Sequence, residues 1–146
     1  IKIARIFNTY GPRMKKNDGR VIPTFINQAI NNQNYTVFGN GMQTRSFCFI
    51  SDTINGLVKL LFSNYNKPVN IGNPKEHNLL QLTMEIDKIT GSANNITFRD
   101  LLENDPKRRK PDIMLAKKIL NWKPLIGLND GLNQTIDFYQ KQKNNS

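Results

Sequence analysis

The first twelve residues constrain the fold most, because they join a buried-strand pattern to a sharp polar exit. Ile1 to Phe7 is mostly apolar and β-branched, which is typical of a parallel strand covered on both faces. Asn8, Thr9 and Tyr10 then supply hydrogen-bonding groups. Gly11-Pro12 predicts a turn directly after them. Because open α/β sheets bind their ligands where strands end, we expect a polar site at this point of the chain.

The rest of the chain alternates short strand patterns with amphipathic helix patterns, which is typical of an α/β protein. Apolar periodicity predicts helices over residues 21–30, 52–62, 79–90, 113–120 and 128–139, and strands over 35–38, 44–50, 68–71 and 96–98. Gly39-x-Gly41-x-x-Thr44 partly matches a dinucleotide-binding loop, but it lacks the third glycine and leads into a strand. We therefore expect a hairpin-like turn there.

The chain is strongly basic, and this charge alone would favour a polyanionic partner. There are 21 Lys and Arg against 11 Asp and Glu, a formal net charge of +10 over 146 residues. The sequence has no interleaved aromatic platform and no recognisable nucleic-acid motif, so a basic nucleic-acid-binding module is only the alternative from another class. Cys48 is the single cysteine, which excludes an internal disulfide. His77 has no second metal ligand nearby in sequence, so we expect no metal site.

Several longer segments, all in the same order, resemble one enzyme family. They are RIFNTYGPRM followed by NDGRVIPTFINQAI, then YTVFGNGMQTRSFCFISD, PVNIGNPKEHNLLQL and DPKRRKPDI. Together they resemble the C-terminal half of UDP-glucuronate decarboxylases, in the extended short-chain dehydrogenase/reductase superfamily. The implied fold is the last strands of a Rossmann-like parallel sheet plus a small α/β substrate-binding domain. Residues 1–12 and 51–73 would belong to the sheet, and residues 13–50 and 74–146 mainly to the substrate-binding region.

The resemblance implies NAD-dependent conversion of UDP-glucuronate to UDP-xylose and carbon dioxide, with a homodimer at full length and no nucleic-acid partner. A UDP-sugar 4-epimerase or a nucleotide-sugar 4,6-dehydratase is the nearest alternative. Related decarboxylases occur in the cytosol and in the Golgi, so the compartment stays open. The family's glycine-rich loop and catalytic Tyr-x-x-x-Lys would precede Ile1. Tyr139-x-x-x-Lys143 copies that spacing at an expected frayed helix end, so we expect no catalytic residue in this chain and no activity from it alone.

The resemblance also implies roles for single residues, divided between the two ligands. The substrate-binding residues would be Asn8, Arg20, Val37, Phe38, Arg45 and Arg109, and the cofactor-binding residues Thr9, Tyr10, Lys15 and Arg20. Within these sets, Val37 and Phe38 would lie beside the uracil. Arg45 and Arg109 would reach the diphosphate and the glucuronate end.

The two arginines suit that role on physical grounds. A diphosphate and a carboxylate together form a concentrated anion, and Arg offers planar, permanently charged donors that can bind in pairs. If both are ligands, Arg45 and Arg109 should point into a common cleft that also receives Asn8 and the strand of Val37 and Phe38. Arg108, the neighbour of Arg109, should face solvent.

Overall fold

The computed structural model describes residues 1–15, 18–101 and 108–144, with only the backbone described for Arg108. Its helices are α1 (Val21–Ile30), α2 (Ile50–Leu61), α3 (Leu79–Thr90), α4 (Met114–Leu120) and α5 (Leu128–Asn144). Its strands are β1 (Ala4–Ile6), β2 (Thr9–Tyr10), β3 (Tyr35–Phe38), β4 (Thr44–Ser46), β5 (Cys48–Phe49), β6 (Val69–Ile71), β7 (Glu76–Asn78), β8 (Ile96–Arg99) and β9 (Arg108–Arg109). The elements confirm the predicted α/β class.

Parallel pairing dominates the described strands. Strand β1 pairs with β6, β2 with β5 and β3 with β8, all in parallel. The first pair continues one residue further, since Phe7 N donates to Ile71 O at 3.0 Å. The Asn8 carbonyl accepts from Cys48 N at 3.0 Å and leads into the second pair. The polar residues after β1 therefore lie along the carboxyl ends of adjacent parallel strands.

The remaining sheet has the order β7–β4–β9 and corrects three predictions. The sequence predicts no strand at residues 76–78 or 108–109, but β7 and β9 flank β4 there. The predicted strand over 44–50 is divided at Phe47, because β4 pairs in this sheet while β5 pairs with β2. Residues 39–41 form no hairpin, since β3 pairs with β8 and not with β4.

Two helix ends follow from their sequence. Asn78 accepts from Gln81 N at 2.7 Å while the Gln81 side chain accepts from Asn78 N at 3.1 Å, which is a complete capping box for α3. Gly91 ends α3 in the left-handed region, with φ of 70°. The helix predicted over residues 52–62 is α2, which begins two residues earlier, at Ile50.

The apolar residues form two clusters, one on each side of β5. The larger cluster packs α1, α3 and α5 around β3, and the smaller one packs α2 and α4 against β6 and Trp122. Asp52 anchors the smaller cluster, because its carboxylate accepts from Leu125 N at 3.0 Å and Ile126 N at 2.9 Å, and its carbonyl accepts from the Trp122 indole at 3.0 Å. Among the described residues, no helix is long and apolar enough to cross a membrane.

Candidate functional site

One cavity of about 280 Å³ brings together most of the residues assigned to the substrate. Asn8, Arg20, Phe38, Arg45 and Arg109 all line it. They come from the exit of β1, the start of α1, and strands β3, β4 and β9. The cavity thus collects residues that lie up to about a hundred positions apart in the sequence. Its walls are both polar and apolar, which is usual for a small-molecule site.

Arg45 and Arg109 are direct neighbours across two strands. Strand β4 pairs in parallel with β9, and Arg45 and Arg109 are register partners. Register partners point to the same face of a sheet, and here both line the cavity. Arg45 is only 8% exposed and donates to its neighbour's carbonyl, Thr44 O, at 2.9 Å, whereas Arg109 is exposed. The site therefore combines a buried guanidinium group with one at the cavity mouth.

Helix α1 adds a third positive element. Arg20 is its N-cap residue, and residues 20–24 line the cavity. The first turn contains no acidic residue, and Arg20 supplies no side-chain cap. A helix N-terminus carries partial positive charge and unsatisfied N–H groups, so this end of α1 favours an anion in the cavity.

A second hollow of about 440 Å³ lies beside the first and shares Thr9, Tyr10, Met14 and Arg20 with it. Lys15 and Arg13 line only this second hollow. The Arg20 guanidinium pairs with Asp18 at 2.6 Å and stays 60% exposed on its side chain. Arg20 thus stands between the two hollows, as a residue contacting both ligands would have to.

Tyr10 borders both hollows, but its hydroxyl group is turned into the core. The residue is 2% exposed, its ring packs edgewise on Phe47 and Phe49, and Oη donates to Leu128 O at 3.2 Å. Burial raises the pKa of Tyr10 far above its usual value, so the phenol stays neutral. A contact between Tyr10 and a cofactor remains a prediction, and the hydroxyl is already engaged.

Val37 and Phe38, the two residues predicted to lie beside the uracil, point to opposite faces of β3, because side chains alternate along a strand. Phe38 lines the cavity, whereas Val37 is fully buried in the larger core cluster and does not line it. The expected position of this strand beside the uracil stays a prediction. Thr36, which sequence analysis did not single out, takes the cavity position on that strand because it is two residues from Phe38.

Gln43 is another lining residue that sequence reasoning missed. Its amide donates to Phe38 O at 2.5 Å and so fixes the loop between β3 and β4 against the end of β3. The sequence feature that could have identified Gln43 is its position between the Gly41 turn and Arg45. Gly41 itself has φ of 75°, and a Cβ there would lie 2.6 Å from Leu80 Cδ2, so the turn needs glycine.

The remaining expectations concern a metal site and single side chains. Within the described ranges, no three or more His, Cys, Asp or Glu residues are grouped so that they could hold a metal ion, and the absence of a metal site stays a prediction. Burial raises the pKa of the Cys48 thiol to about 11, so it stays protonated. Tyr139 is not at a frayed end as expected, since it is 1% exposed and donates to Met14 O at 2.8 Å. The side chain of Arg108 lies outside the described residues.

Comparisons with known proteins support the same family. Residues 1–72 match the NAD dependent epimerase/dehydratase family. UDP-glucuronic acid decarboxylase 1 of Xenopus tropicalis is 49% identical over 142 residues, which are 97% of this chain and 34% of that protein. UDP-glucuronic acid decarboxylase 2 of Arabidopsis thaliana is 46% identical over the same share of this chain and 32% of its own length. The chain thus spans about a third of the length of these curated relatives.

Solved structures agree with the fold. UDP-glucuronic acid 4-epimerase from Bacillus cereus, in complex with UDP-glucuronic acid and NAD, superposes with a TM-score of 0.90 at 30% identity, covering 97% of this chain and 45% of that one. UDP-glucose 4-epimerase from Thermotoga maritima gives a TM-score of 0.92 at 24% identity over 96% of this chain and 46% of its own, which bears on the fold alone. These neighbours confirm the predicted Rossmann-like class. Residues 1–72 of the chain thus match the NAD dependent epimerase/dehydratase family, and 97% of the chain is similar to UDP-glucuronic acid decarboxylases.

Proposed function

We propose that this chain forms the sugar-nucleotide site of an NAD-dependent UDP-glucuronate decarboxylase, an enzyme that yields UDP-xylose and carbon dioxide. One observation carries the proposal: Arg45 and Arg109 are register partners that line one cavity, in a chain 49% identical to a UDP-glucuronic acid decarboxylase. The cavity would hold the substrate's diphosphate and carboxylate, and residues 1–12 and 51–73 would contribute to the parallel sheet beneath it.

The charge distribution supports an anionic substrate. Arg45 is mostly withdrawn from water, so its attraction for phosphate is less weakened by solvent than that of a surface charge. Arg109 at the mouth can meet the glucuronate carboxylate without being buried first. The N-terminus of α1 lies on the same cavity and adds partial positive charge. Asn8 completes the polar wall from the β1 exit.

The residues present fit part of an NAD molecule. Arg13, Lys15, Arg20 and Thr9 line the second hollow, so it offers cationic and hydroxyl groups to a cofactor that carries a diphosphate. When bound, NAD supplies the redox chemistry by accepting and returning a hydride at the sugar. The chain's own contribution is to hold the two ligands in adjacent hollows. Residues 39–41 join strands of two different sheets and precede no helix, so they are not a pyrophosphate loop.

We assign no proton transfer to Tyr139 or Lys143. The Tyr139 hydroxyl donates to Met14 O at 2.8 Å, and Lys143 Nζ donates to Ile30 O at 2.9 Å. Both therefore attach α5 to the rest of the domain. We expect the purified 146-residue chain to bind the sugar nucleotide without decarboxylating it in the presence of NAD.

A UDP-glucuronic acid 4-epimerase is the second candidate, because a structure of that activity from Bacillus cereus superposes at 30% identity. The same cavity would serve it, since both reactions start from UDP-glucuronate. Product analysis by NMR of a catalytically active preparation separates the two. UDP-xylose with carbon dioxide supports the decarboxylase, and the 4-epimer of UDP-glucuronate supports the epimerase.

Isothermal titration of the chain tests the proposed ligand class. We expect UDP-glucuronate to bind about tenfold or more tightly than UDP-glucose, because one charge-assisted contact to the carboxylate contributes roughly 1.5 to 3 kcal/mol. A single-stranded oligonucleotide serves as the matched polyanion. If the oligonucleotide binds with steep salt dependence while UDP-glucuronate does not bind, the chain is a nucleic-acid-binding module and the proposal is wrong.

A further inference from the structure

We propose that Glu76 is a positioning residue, which holds together the strands that carry Arg45 and Arg109 without contacting the ligand itself. The inference rests on the proposed function, because it concerns the same cavity. Glu76 lies on β7, outside every segment to which a ligand role was assigned. It does not line the cavity.

The contacts of Glu76 reach both arginine strands. Its Oε1 accepts from Thr44 Oγ1 at 2.9 Å, and its Oε2 lies 3.5 Å from Lys110 Nζ. Thr44 immediately precedes Arg45, and Lys110 immediately follows Arg109. One carboxylate therefore connects β7, β4 and the exit of β9.

Sheet alternation places this connection on the side away from the cavity. Glu76 is the register partner of Ser46, and Ser46 and Thr44 point to the face opposite Arg45. On that same face, Ser46 Oγ donates to Arg109 O at 2.9 Å. The side-chain contacts on the face opposite the cavity thus hold the two strands together, while the cavity face carries the two guanidinium groups.

On the cavity face of the sheet, the two arginines repel each other, and the contacts of Glu76 can offset this repulsion. Like charges directly opposite each other on neighbouring strands destabilise the pairing, and Arg45 and Arg109 are in that relation. Strand β9 has only two residues, so few ladder hydrogen bonds oppose the repulsion. The Glu76 carboxylate, behind the pair, offsets part of this repulsion by connecting β4 with the exit of β9.

Titration of UDP-glucuronate into variants of the full chain tests this role. We expect Glu76→Ala to weaken binding about fivefold, within the range of coupling between neighbouring groups. Glu76→Gln should have a smaller effect, because it can still accept from Thr44. Glu85→Gln is the matched control: Glu85 also pairs with a lysine, Lys88 at 2.9 Å, but it lies on α3 away from both hollows.

A double variant separates positioning from general loss of stability. With Arg109 already replaced by Ala, Glu76→Ala should cause no further loss of affinity, since there is no second guanidinium group to position. An equal loss in both backgrounds would overturn the proposal. Circular dichroism checks that each variant is folded, and Glu76→Gln replaces Glu76→Ala if the latter is not.

Failure of the proposed function gives a different result. If the unsubstituted chain does not bind UDP-glucuronate, that function is wrong, but the positioning role is still measurable. The NMR signals of the Arg45 and Arg109 Nε–H groups should then shift in Glu76→Gln and stay in place in Glu85→Gln. Unchanged arginine signals in Glu76→Gln would contradict the inference.

Discussion

At the scale of single residues, His77 is the side chain whose environment makes the clearest prediction. It is the register partner of Arg45 on β7, and the chain has no other histidine. Burial, with a smaller contribution from Lys75, holds the pKa of His77 below its usual value. The imidazole is therefore neutral at pH 7 and adds no further charge beside Arg45.

This lowered pKa makes stability depend on pH in one direction. As pH falls through about 6.5, the unfolded chain takes up a proton that the folded chain resists, so the free energy of unfolding decreases. His77→Gln removes this difference in proton uptake between the unfolded and the folded chain. We expect thermal unfolding at pH 7.5 and pH 5.5 to show a smaller loss of Tm in His77→Gln than in the unsubstituted chain. An equal loss in both proteins would show that His77 is not the group responsible.

The sequence could predict several residues that line the cavity, but not which face of a short strand each side chain occupies. The matched segments assigned Asn8, Phe38, Arg45 and Arg109 to the substrate, and the structure brings these four to one cavity. That they bind the substrate stays a prediction. Val37 was also predicted to lie beside the uracil, but its side chain does not line the cavity, because which face of a short strand is buried depends on the helices packed against it. Glu76 had no sequence signal, because its importance comes from strand pairing alone.

At the scale of elements, the helices could be predicted and the shortest strands could not. Helix α3 was predicted over residues 79–90 from its apolar periodicity, and the structure gives the same bounds. Strands β7 and β9 have three and two residues of mostly polar sequence, so neither has a period long enough to detect. They form because β4 offers two open edges. The arrangement of the arginine pair therefore depends on elements that only the tertiary structure specifies.

The packing of α5 against β2 and β5 depends on a glycine. A Cβ added at Gly131 would overlap Tyr10 Oη and lie 2.8 Å from Phe49 Cδ2. We expect Gly131→Ala to lower the free energy of unfolding by about 1 to 3 kcal/mol, the usual cost of overpacking, despite the better helix propensity of Ala.

Urea denaturation measures this effect, and Gly127→Ala is its control. A Cβ at Gly127 would meet only Asp130 Oδ2, at an ordinary 3.6 Å. We expect that variant to remain within about 0.5 kcal/mol of the unsubstituted chain. Equal stability of the two variants would mean that α5 can move away from Tyr10 without cost.

At the scale of the whole molecule, several large apolar residues are exposed to solvent. On and just after α2, Val58 is 47% exposed, Leu61 61% and Phe62 82%, and Ile6 on β1 is 55% exposed. Strand β1 pairs only with β6 among the described strands, so its other edge is open. Exposed apolar surface and open strand edges favour association between chains. The homodimer expected at full length remains a prediction.

We expect the isolated chain to self-associate as its concentration rises, measured by sedimentation velocity. Phe62→Ser should reduce the association, because it removes the most exposed aromatic side chain of that surface. Met42→Ser is the control, since Met42 is 57% exposed but lies on the loop between β3 and β4. A chain that stays monomeric at all concentrations would contradict this expectation.

The central claim is that one cavity binds UDP-glucuronate between Arg45 and Arg109. Its most direct test is titration of UDP-glucuronate into the unsubstituted chain and into Arg45→Ala, Arg109→Ala and Arg5→Ala. Arg5 is an exposed strand arginine on β1 that lines neither hollow, so it reports the effect of net charge alone. We predict that Arg45→Ala and Arg109→Ala each weaken binding about tenfold or more, while Arg5→Ala changes it little. Equal losses in all three variants would contradict the account, because they would indicate a diffuse positive field in place of a specific anion site.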